Sequence, residues 1–540
     1  MENRLYFGDN LTVLRDREQF PDACVDLIYL DPPFNSKRDY NLLFKSPKGH
    51  QSEAQITAFE DSWHWGEQAE REFDEIIHGT NTDLAMLMPA LRSFLGENDM
   101  MAYLTMMANR LIEMYRVLKT TGSLYLHCDP TASHYLKVVL DGVFGKENFR
   151  NEIIWKRGHG HNSANRYGSC HDVIFFYAKN ENYHWNPVFH AYDEEYLAKH
   201  YRHLDKDGRR YKHENPTGAG ISHGVTGQPW RGIDPTAKGR HWARTPEELD
   251  KLDAAGLIHW PVGGEWPYIK LFLDDMKGVP GQDLWTDIDV INMIAAERLG
   301  YPTQKPQALL ERIITASSNE GDVVLDPFCG CGTAVHAAQK LKRKWLGIDI
   351  TCLAIDLIEG RLKDAFGERC KFEVHGLPKD LESARELAAR DKYQFQWWAV
   401  GRVEAQPYQG KKKGADGGID GLKFFRDVDG KNARKIVISV KGGGLKADDV
   451  RALNHVRERE GAEIGLLISL EEPTKGMIAD AASAGLYESA TGKKYPRLQL
   501  LTIEGLLNKT QRAEHPDYEP DLNFKKAKAE EHDSGQGKLF

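Results

Sequence analysis

Two short apolar runs, far apart in the chain, each end in an aspartate followed by proline. Val25-Asp26-Leu27-Ile28-Tyr29-Leu30 leads into Asp31-Pro32-Pro33-Phe34, and Val323-Val324-Leu325 leads into Asp326-Pro327-Phe328-Cys329-Gly330-Cys331-Gly332-Thr333. Both runs read as buried strands. Proline cannot continue a central strand, so the chain must turn at each aspartate and leave its carboxylate at the strand's carboxyl end. Open α/β sheets place their ligands there. Asp-Pro-Pro taken alone is equally compatible with a rigid turn. The second motif carries more: its glycines allow a tight turn and close approach to a ligand, and the helix-like Ala334–Lys342 behind it offers unpaired amide donors. A third strand, Trp345-Leu346-Gly347-Ile348, ends in Asp349, 23 residues past Asp326, a spacing suited to binding ribose hydroxyls in a Rossmann-like sheet. The loop is neither G-x-x-x-x-G-K-[ST] nor a full G-x-G-x-x-G, which disfavours ATP and NAD.

The length of 540 residues predicts three to four domain-sized units, and 41% hydrophobic with 28% charged residues excludes wholesale disorder and fibrous classes. No apolar run is long enough to span a membrane and the amino terminus lacks a basic-then-apolar leader, so a cytoplasmic protein with no membrane partner is expected. Seven cysteines are too few for a disulfide framework. Cys329 and Cys331, one residue apart with no second Cys/His pair following, read as small turn residues rather than a zinc site, and Cys24 and Cys128 as core residues. The net charge of -9 rules out a uniformly basic nucleic-acid coat, but it is unevenly spread. Residues 151–250 are at +1, residues 371–540 at +2, and the rest at -12. The 151–250 stretch also holds ten of the 21 histidines, a composition that fits contact with phosphates and base edges, or an irregular loop-rich insertion.

Taken together, these residues resemble a known family. Asp31-Pro32-Pro33-Phe34, the Gly330-Cys331-Gly332 loop after Asp326-Pro327-Phe328, and Thr303-Gln304-Lys305-Pro306 before it look like the set found in S-adenosylmethionine-dependent DNA amino-methyltransferases. The catalytic tetrapeptide comes first and the cofactor loop last, the order of the circularly permuted β class. Gly8-Asp9-Asn10-Leu11, the helix-then-strand segment 110–129 and His171-Asp172-Val173-Ile174-Phe175-Phe176-Tyr177 agree with it. The resemblance covers residues 3–370.

The resemblance implies a Rossmann-like methyltransferase sheet in two halves, 1–180 and 291–375, separated by a target-recognition region at 181–290. Adenine N6 is the expected target in double-stranded DNA, because Asp31 stands where N4-cytosine enzymes often carry serine; N4-cytosine is the alternative. Asp31 and the Pro32 carbonyl would accept the amine hydrogens, Pro33 would help hold them, and Phe34 would stack on a base flipped from the duplex. For the cofactor, Phe328, Gly330, Gly332 and Thr333 would cradle the methionine part, with Asp326 at the strand end, Asp349 on the ribose and Asp9 near the adenine. Thr303, Lys305 and Pro306 would close over the carboxylate, although Lys305 also reads as a plain helix-start cation. In the insertion, Trp230, Arg231, Arg240 and Trp242 resemble a segment of type III modification subunits and are candidates for DNA reading, or are core aromatics with surface arginines. A restriction or helicase subunit and a second copy of the chain are further candidate partners.

Past a boundary near 370–390 the pattern changes. Gly414-Ala415-Asp416-Gly417-Gly418-Ile419-Asp420-Gly421 leads into a predicted hairpin, Leu422–Arg426 and Ile436–Val440 with a turn at Asp429-Gly430, then helix Ala447–Arg459, strand Ile464–Leu470 and helix Thr474–Ala484. Asp420 and Lys441 would meet on neighbouring strands, as an acidic metal ligand and a lysine do in Mg²⁺ nucleases. Residues 390–510 resemble the Mrr-like branch of the restriction-endonuclease superfamily, a PD-(D/E)xK α/β domain that uses Mg²⁺. Ser439 occupies the position of its second acidic ligand, so Glu404 or Asp416 would have to compensate. The alternatives are a Mg²⁺-dependent endonuclease activated by S-adenosylmethionine, or a nuclease-like domain that only binds. Residues 511–540 read as a charged, frayed tail.

Overall fold

A computed structural model describes residues 2–33, 39–45, 51–60, 63–158, 165, 167–263, 266–292, 295, 297–299, 301, 304–408, 417–428, 433–516 and 527–530, with backbone alone for 39–45 and 51–60. Phe34, Thr303, Asp416 and the Asp429-Gly430 turn lie outside the described residues. The chain forms two compact units, Met1–Asn186 with Asp283–His532, and Pro187–Gln282.

The first unit is built on a nine-stranded sheet. Its strands are β1 (Arg4–Phe7), β2 (Val25–Leu30), β3 (Leu118–Cys128), β4 (Phe149–Lys156), β5 (His171–Ala178), β6 (Leu284–Trp285), β7 (Val323–Asp326), β8 (Lys344–Asp349) and β9 (Glu373–His375), in the order β6-β4-β5-β3-β2-β7-β8-β1-β9. From β3 to β9 every neighbour is parallel, whereas β5 runs antiparallel to β3 and β4. β2 lies directly beside β7, with Leu27 opposite Val324, so the two Asp-Pro motifs meet although most of the chain separates them.

Alternate residues of these strands point to opposite faces. Leu27 and Tyr29 join the core on one face, Ile28 and Leu30 that on the other. Each fully buried aliphatic side chain contributes about 1.5–3 kcal/mol. The covering helices include α1 (Asn10–Arg15), α2 (Asp99–Val117), α3 (Gln307–Ser317), α4 (Thr333–Lys340), α5 (Cys352–Phe366) and α6 (Lys392–Gly401). In α2 the Asn98 side chain caps the first turn by accepting from Met101 N, and most of the helix is buried.

The 390–510 segment forms a second, five-stranded sheet: β10 (Gln406–Pro407), β11 (Gly421–Phe425), β12 (Arg434–Lys441), β13 (Ile464–Ser469) and β14 (Leu498–Thr502), in chain order across the sheet. β11 and β12 are the predicted hairpin; β12, β13 and β14 are parallel, connected through helices Ala447–Arg459 and Lys475–Ser483. The expected boundary near 370–390 does not interrupt the core. α6 is apolar on several sides, and Phe395, Trp397 and Trp398 belong to one cluster with Leu353 and Ile355 of α5 and with Ile436 and Ile464 of the second sheet. Nor is the described part of the tail frayed: Glu530 N donates to Ala365 O and Ala527 N to the Asp364 carboxylate.

The unit Pro187–Gln282 contains a four-stranded antiparallel sheet of residues 203–204, 210–214, 258–259 and 268–272. Trp230, Trp242, Leu249, Ile258 and Ile269 form its core. Among the described residues no helix is long and apolar enough to cross a membrane.

Candidate active site

Because the prolines end β2 and β7 abruptly, Asp31 and Asp326 both stand at the carboxyl edge of the sheet, in the wall of one cleft of about 240 Å³. Asp9, after β1, and Asp349, at the end of β8, line the same cleft, with Phe328, Gly330 and Thr333 of the loop between β7 and α4. The loop needs its glycines at two places. Gly330 has φ +51° and a Cβ there would sit 3.1 Å from the Tyr301 ring, while Gly332, at φ +73°, would bring a Cβ to 2.7 Å from Ile358.

Asp31 is held from one side only. Lys305 Nζ donates to its Oδ2 at 2.5 Å, and among the described residues its buried Oδ1 has no hydrogen-bond partner. Pro33 lines the cleft; Pro32 is buried and is not among the lining residues. Lys305 itself is almost fully buried, and Pro306 caps the start of α3.

The other three carboxylates are each tied to the scaffold. Asp9 caps α1, accepting from Thr12 N at 3.0 Å, and pairs with Arg110 at 2.6 Å. Burial alone would raise its carboxyl, but the Arg110 charge and these hydrogen bonds hold it below the usual range. Asp349 accepts from Gly330 N at 2.8 Å and from Thr351 N and Oγ1 at 2.9 Å, fastening the glycine loop to β8; burial still pushes its carboxyl up to about 6. Asp326 accepts from Phe328 N at 3.1 Å, and burial, reinforced by the neighbouring Asp31 and Asp349, pushes it up to about 8. From behind, the buried Arg361 guanidinium braces the loop through Cys331 O at 3.0 Å and Thr333 Oγ1 at 3.1 Å. Cys329 and Cys331 are free thiols buried in the turn.

Several site residues carried no role in the sequence reading. Arg110 donates to Asn10 Oδ1 at 2.6 Å, and Asn10 donates to Pro327 O at 2.8 Å, so this pair links the ends of β1 and β7. The available signal was Asn109-Arg110 interrupting an apolar helix. Tyr29 also lines the cleft. Of the expected cofactor residues, Gly332 and Pro306 support the cleft without lining it.

The four candidate DNA-reading residues are placed differently. Trp230 and Trp242 are core residues, their indoles donating to Asp250 at 3.0 Å and to Gln228 O at 3.0 Å, and they present no open face for stacking. Arg240 is bound to Thr217 Oγ1 and O, and Arg231 pairs with Asp250 and Asp253. Apolar packing of a small unit claims its largest side chains first.

At the edge of the second sheet, Asp420 immediately precedes β11 and Lys441 ends the neighbouring β12. The Asp420 carboxylate, however, accepts from Val440 N at 2.7 Å, Gln396 Nε2 at 3.0 Å and Ser439 Oγ at 3.4 Å, and Lys441 pairs with Asp449 at 3.1 Å. Glu404 faces Lys423 at 3.7 Å. Among the described residues no group of three or more His, Cys, Asp or Glu side chains is arranged to hold a metal ion.

The α/β sheet thus carries a cleft at its carboxyl edge, with four aspartates at the ends of the lining strands and the Asp-Pro-Pro turn beside the glycine loop. The chain belongs to the DNA methylase family, whose model matches residues 25–359. It is 40% identical over 261 residues to the type II methyltransferase M.EcaI of Enterobacter cloacae, covering 48% of this chain and 57% of that one. With the Mod subunit of the type III restriction-modification enzyme StyLTI of Salmonella typhimurium the identity is 26% over 358 residues, 63% of this chain and 50% of that one. The DNA adenine methyltransferase YhdJ of Escherichia coli is 50% identical over 72 residues, 13% of this chain and 24% of that one. The chain thus spans about half the length of the first two relatives.

Proposed function

We propose that the chain transfers a methyl group from S-adenosylmethionine to the exocyclic N6 amine of adenine at a specific sequence in double-stranded DNA, as the modification activity of a restriction-modification system. One observation carries the reading: Asp31 lines the cleft with a buried Oδ1 that has no partner among the described residues, while Lys305 occupies Oδ2. An aromatic amine is a weak nucleophile because its lone pair is delocalised into the ring, and an acceptor that draws on its hydrogen moves the nitrogen toward tetrahedral geometry.

The residues present fit the cofactor. The glycine cradle leaves room that a Cβ at Gly330 would close, and the cleft offers acidic and apolar walls for a cationic nucleoside. Phe328–Thr333 would hold the methionine part, Asp349 the ribose and Asp9 the adenine, with Lys305 near the methionine end. When bound, the cofactor supplies an electrophilic sulfonium methyl. This chain's part is to orient the amine, fix its acceptor and exclude water. The catalytic strand preceding the cofactor half supports the permuted class. Adenine rather than cytosine N4 is favoured by Asp31 and by the similarity to YhdJ. The unit Pro187–Gln282, lying within the 181–290 stretch, is the candidate DNA-reading element; the similarity to a Mod subunit supports a restriction partner.

The carboxyl-terminal sheet is proposed as a nuclease-like binding domain rather than a cleaving one, because Asp420 spends its carboxylate on the fold. Asp31→Ala tests the main reading: methylation of unmodified genomic DNA should be lost while S-adenosylmethionine binding by calorimetry persists. Unchanged methylation removes the assignment. Incubation of unmodified DNA with Mg²⁺ tests the second, where cleavage that Lys441→Ala abolishes would restore the nuclease.

A further inference from the structure

Behind the cleft wall a chain of buried polar side chains crosses three strands. The Tyr29 hydroxyl lies 3.0 Å from His127 Nδ1, His127 Nε2 lies 3.1 Å from Asp172 Oδ2, and Arg157 Nε lies 3.1 Å from Asp172 Oδ1. Tyr29, His127 and Asp172 sit on β2, β3 and β5 near the carboxyl edge, and all three are buried; Arg157, just past β4, reaches solvent. The neighbours two residues away on the same face of the same strands, Leu27, Tyr125 and Ile174, belong to the apolar core, so the core does not demand this polar chain. Burying such groups is unfavourable unless each is matched by a partner, and Asp172 Oδ1 is matched by the Arg157 ion pair without a hydrogen bond.

Their order fixes the direction of the hydrogen bonds. Burial favours a neutral Asp172, but its hydrogen bond with the neutral His127 ring and the nearby Lys305 and Arg157 outweigh it and hold the carboxyl below its usual range. The ring nitrogen facing that carboxylate must donate, so Nε2 carries the hydrogen. Nδ1 is then left to accept, the Tyr29 hydroxyl donates to it, and the phenol oxygen keeps its lone pairs for the cleft it lines.

We propose that Tyr29 is a second acceptor for the target amine and takes up the proton that the amine releases, with His127 and Asp172 as positioning residues that receive and hold it. The proposal rests on the methyltransferase reading. In the step, the amine nitrogen gains the methyl and the positive charge as the carbon–sulfur bond breaks. One N–H bond then breaks, its hydrogen bonds to the Tyr29 oxygen, the hydroxyl hydrogen moves to His127 Nδ1, and Asp172 holds the resulting imidazolium. Asp31 Oδ1 meanwhile accepts from the other N–H and remains paired with Lys305.

Tyr29→Phe removes only the hydroxyl. With enzyme in excess over sites in unmodified genomic DNA, a single turnover followed by rapid quench should slow at least tenfold, within the range of general-base effects. S-adenosylmethionine affinity should stay within twofold. A Tyr29→Phe rate within twofold of wild type overturns the relay, and the methyltransferase reading survives if Asp31→Ala is inactive; wild-type protein that methylates no DNA overturns both. A readout independent of turnover is ¹⁵N NMR of the histidine-labelled, ligand-free protein, with His127 assigned by His127→Gln. The hydrogen is expected on Nε2 with Nδ1 bare, and Asp172→Asn should shift it toward Nδ1. A hydrogen on Nδ1 in the wild type overturns the proposal.

Discussion

The two sheets of the larger unit each place an aspartate and a lysine at an edge, and they use them in opposite ways. At the nine-stranded sheet, Lys305 takes one oxygen of Asp31, a residue that lines the cleft, and leaves the other buried and unpartnered among the described residues. At the five-stranded sheet, Asp420 spends its oxygens on Val440 N, Gln396 and Ser439, and Lys441 is drawn to Asp449. The residue types are alike in the two places. What differs is hydrogen-bonding capacity left over once the fold is satisfied: a carboxylate that completes a turn is scaffold, and one whose acceptor is kept desolvated and unmatched is disposed to receive a ligand.

The largest test of that contrast pairs Asp31→Ala with Asp420→Ala. The first should lower single-turnover methylation by about 10³-fold or more, the scale seen when a preorganised transition-state partner is removed. The second should leave methylation within twofold but cost about 1–3 kcal/mol of stability, because it strands the Val440 N–H and the Gln396 amide. A methylation defect in Asp420→Ala, with normal thermal unfolding, would break the contrast.

Next in size is Lys305→Met against Lys441→Ala. Removing Lys305 leaves the Asp31 carboxylate without its buried partner, and kcat should fall about 10–100-fold with the KM for S-adenosylmethionine changing less. If KM alone moves, Lys305 is the carboxylate-binding cation that its sequence position first suggested. Lys441, paired with Asp449 and partly exposed, should be silent in the methylation assay.

How far the sequence reading reached follows the same line. Asp31, Asp326 and Asp349 were legible because strands end where prolines and glycines force them to, and the register of β2 beside β7 brings them into one wall. Helix Ala447–Arg459 and the hairpin of β11 and β12 were legible from periodicity and turn residues. In the unit Pro187–Gln282 the sequence left Trp230 and Trp242 open between DNA contact and core; composition does not separate a stacking indole from a core indole, which depends on what folds over it, and both indoles belong to the core. The Tyr29, His127 and Asp172 chain was invisible as a unit because its members come from three strands joined only by the sheet order. The placement of residues 527–530 was illegible for the same reason: Glu530 is held by His336 at 3.0 Å and by Gln307, partners far away in the chain.

The smallest effect sharpens the comparison through stability alone. Asp326 is kept in the cleft at an energetic cost: its carboxyl, 3.8 in an ordinary setting, is pushed up to about 8. A raised carboxyl pKa means that the folded state binds more protons than the unfolded state between those values, so stability is lost as pH rises from about 4 to about 8 and is level beyond. Asp326→Asn keeps an oxygen to accept from Phe328 N and removes the charge. In the ligand-free protein it should therefore raise the melting temperature, by an increment that is near zero at pH 4.5 and grows toward pH 8, worth on the order of 1 kcal/mol or more at the upper end. Asp420→Asn should do the reverse and lower the melting temperature at neutral pH, because an amide cannot accept as strongly as the carboxylate from the Val440 and Gln396 donors. Opposite signs for two Asp→Asn changes in one unit would separate an aspartate held for a ligand from one held for the fold, and equal signs would show that burial rather than leftover valence sets the difference.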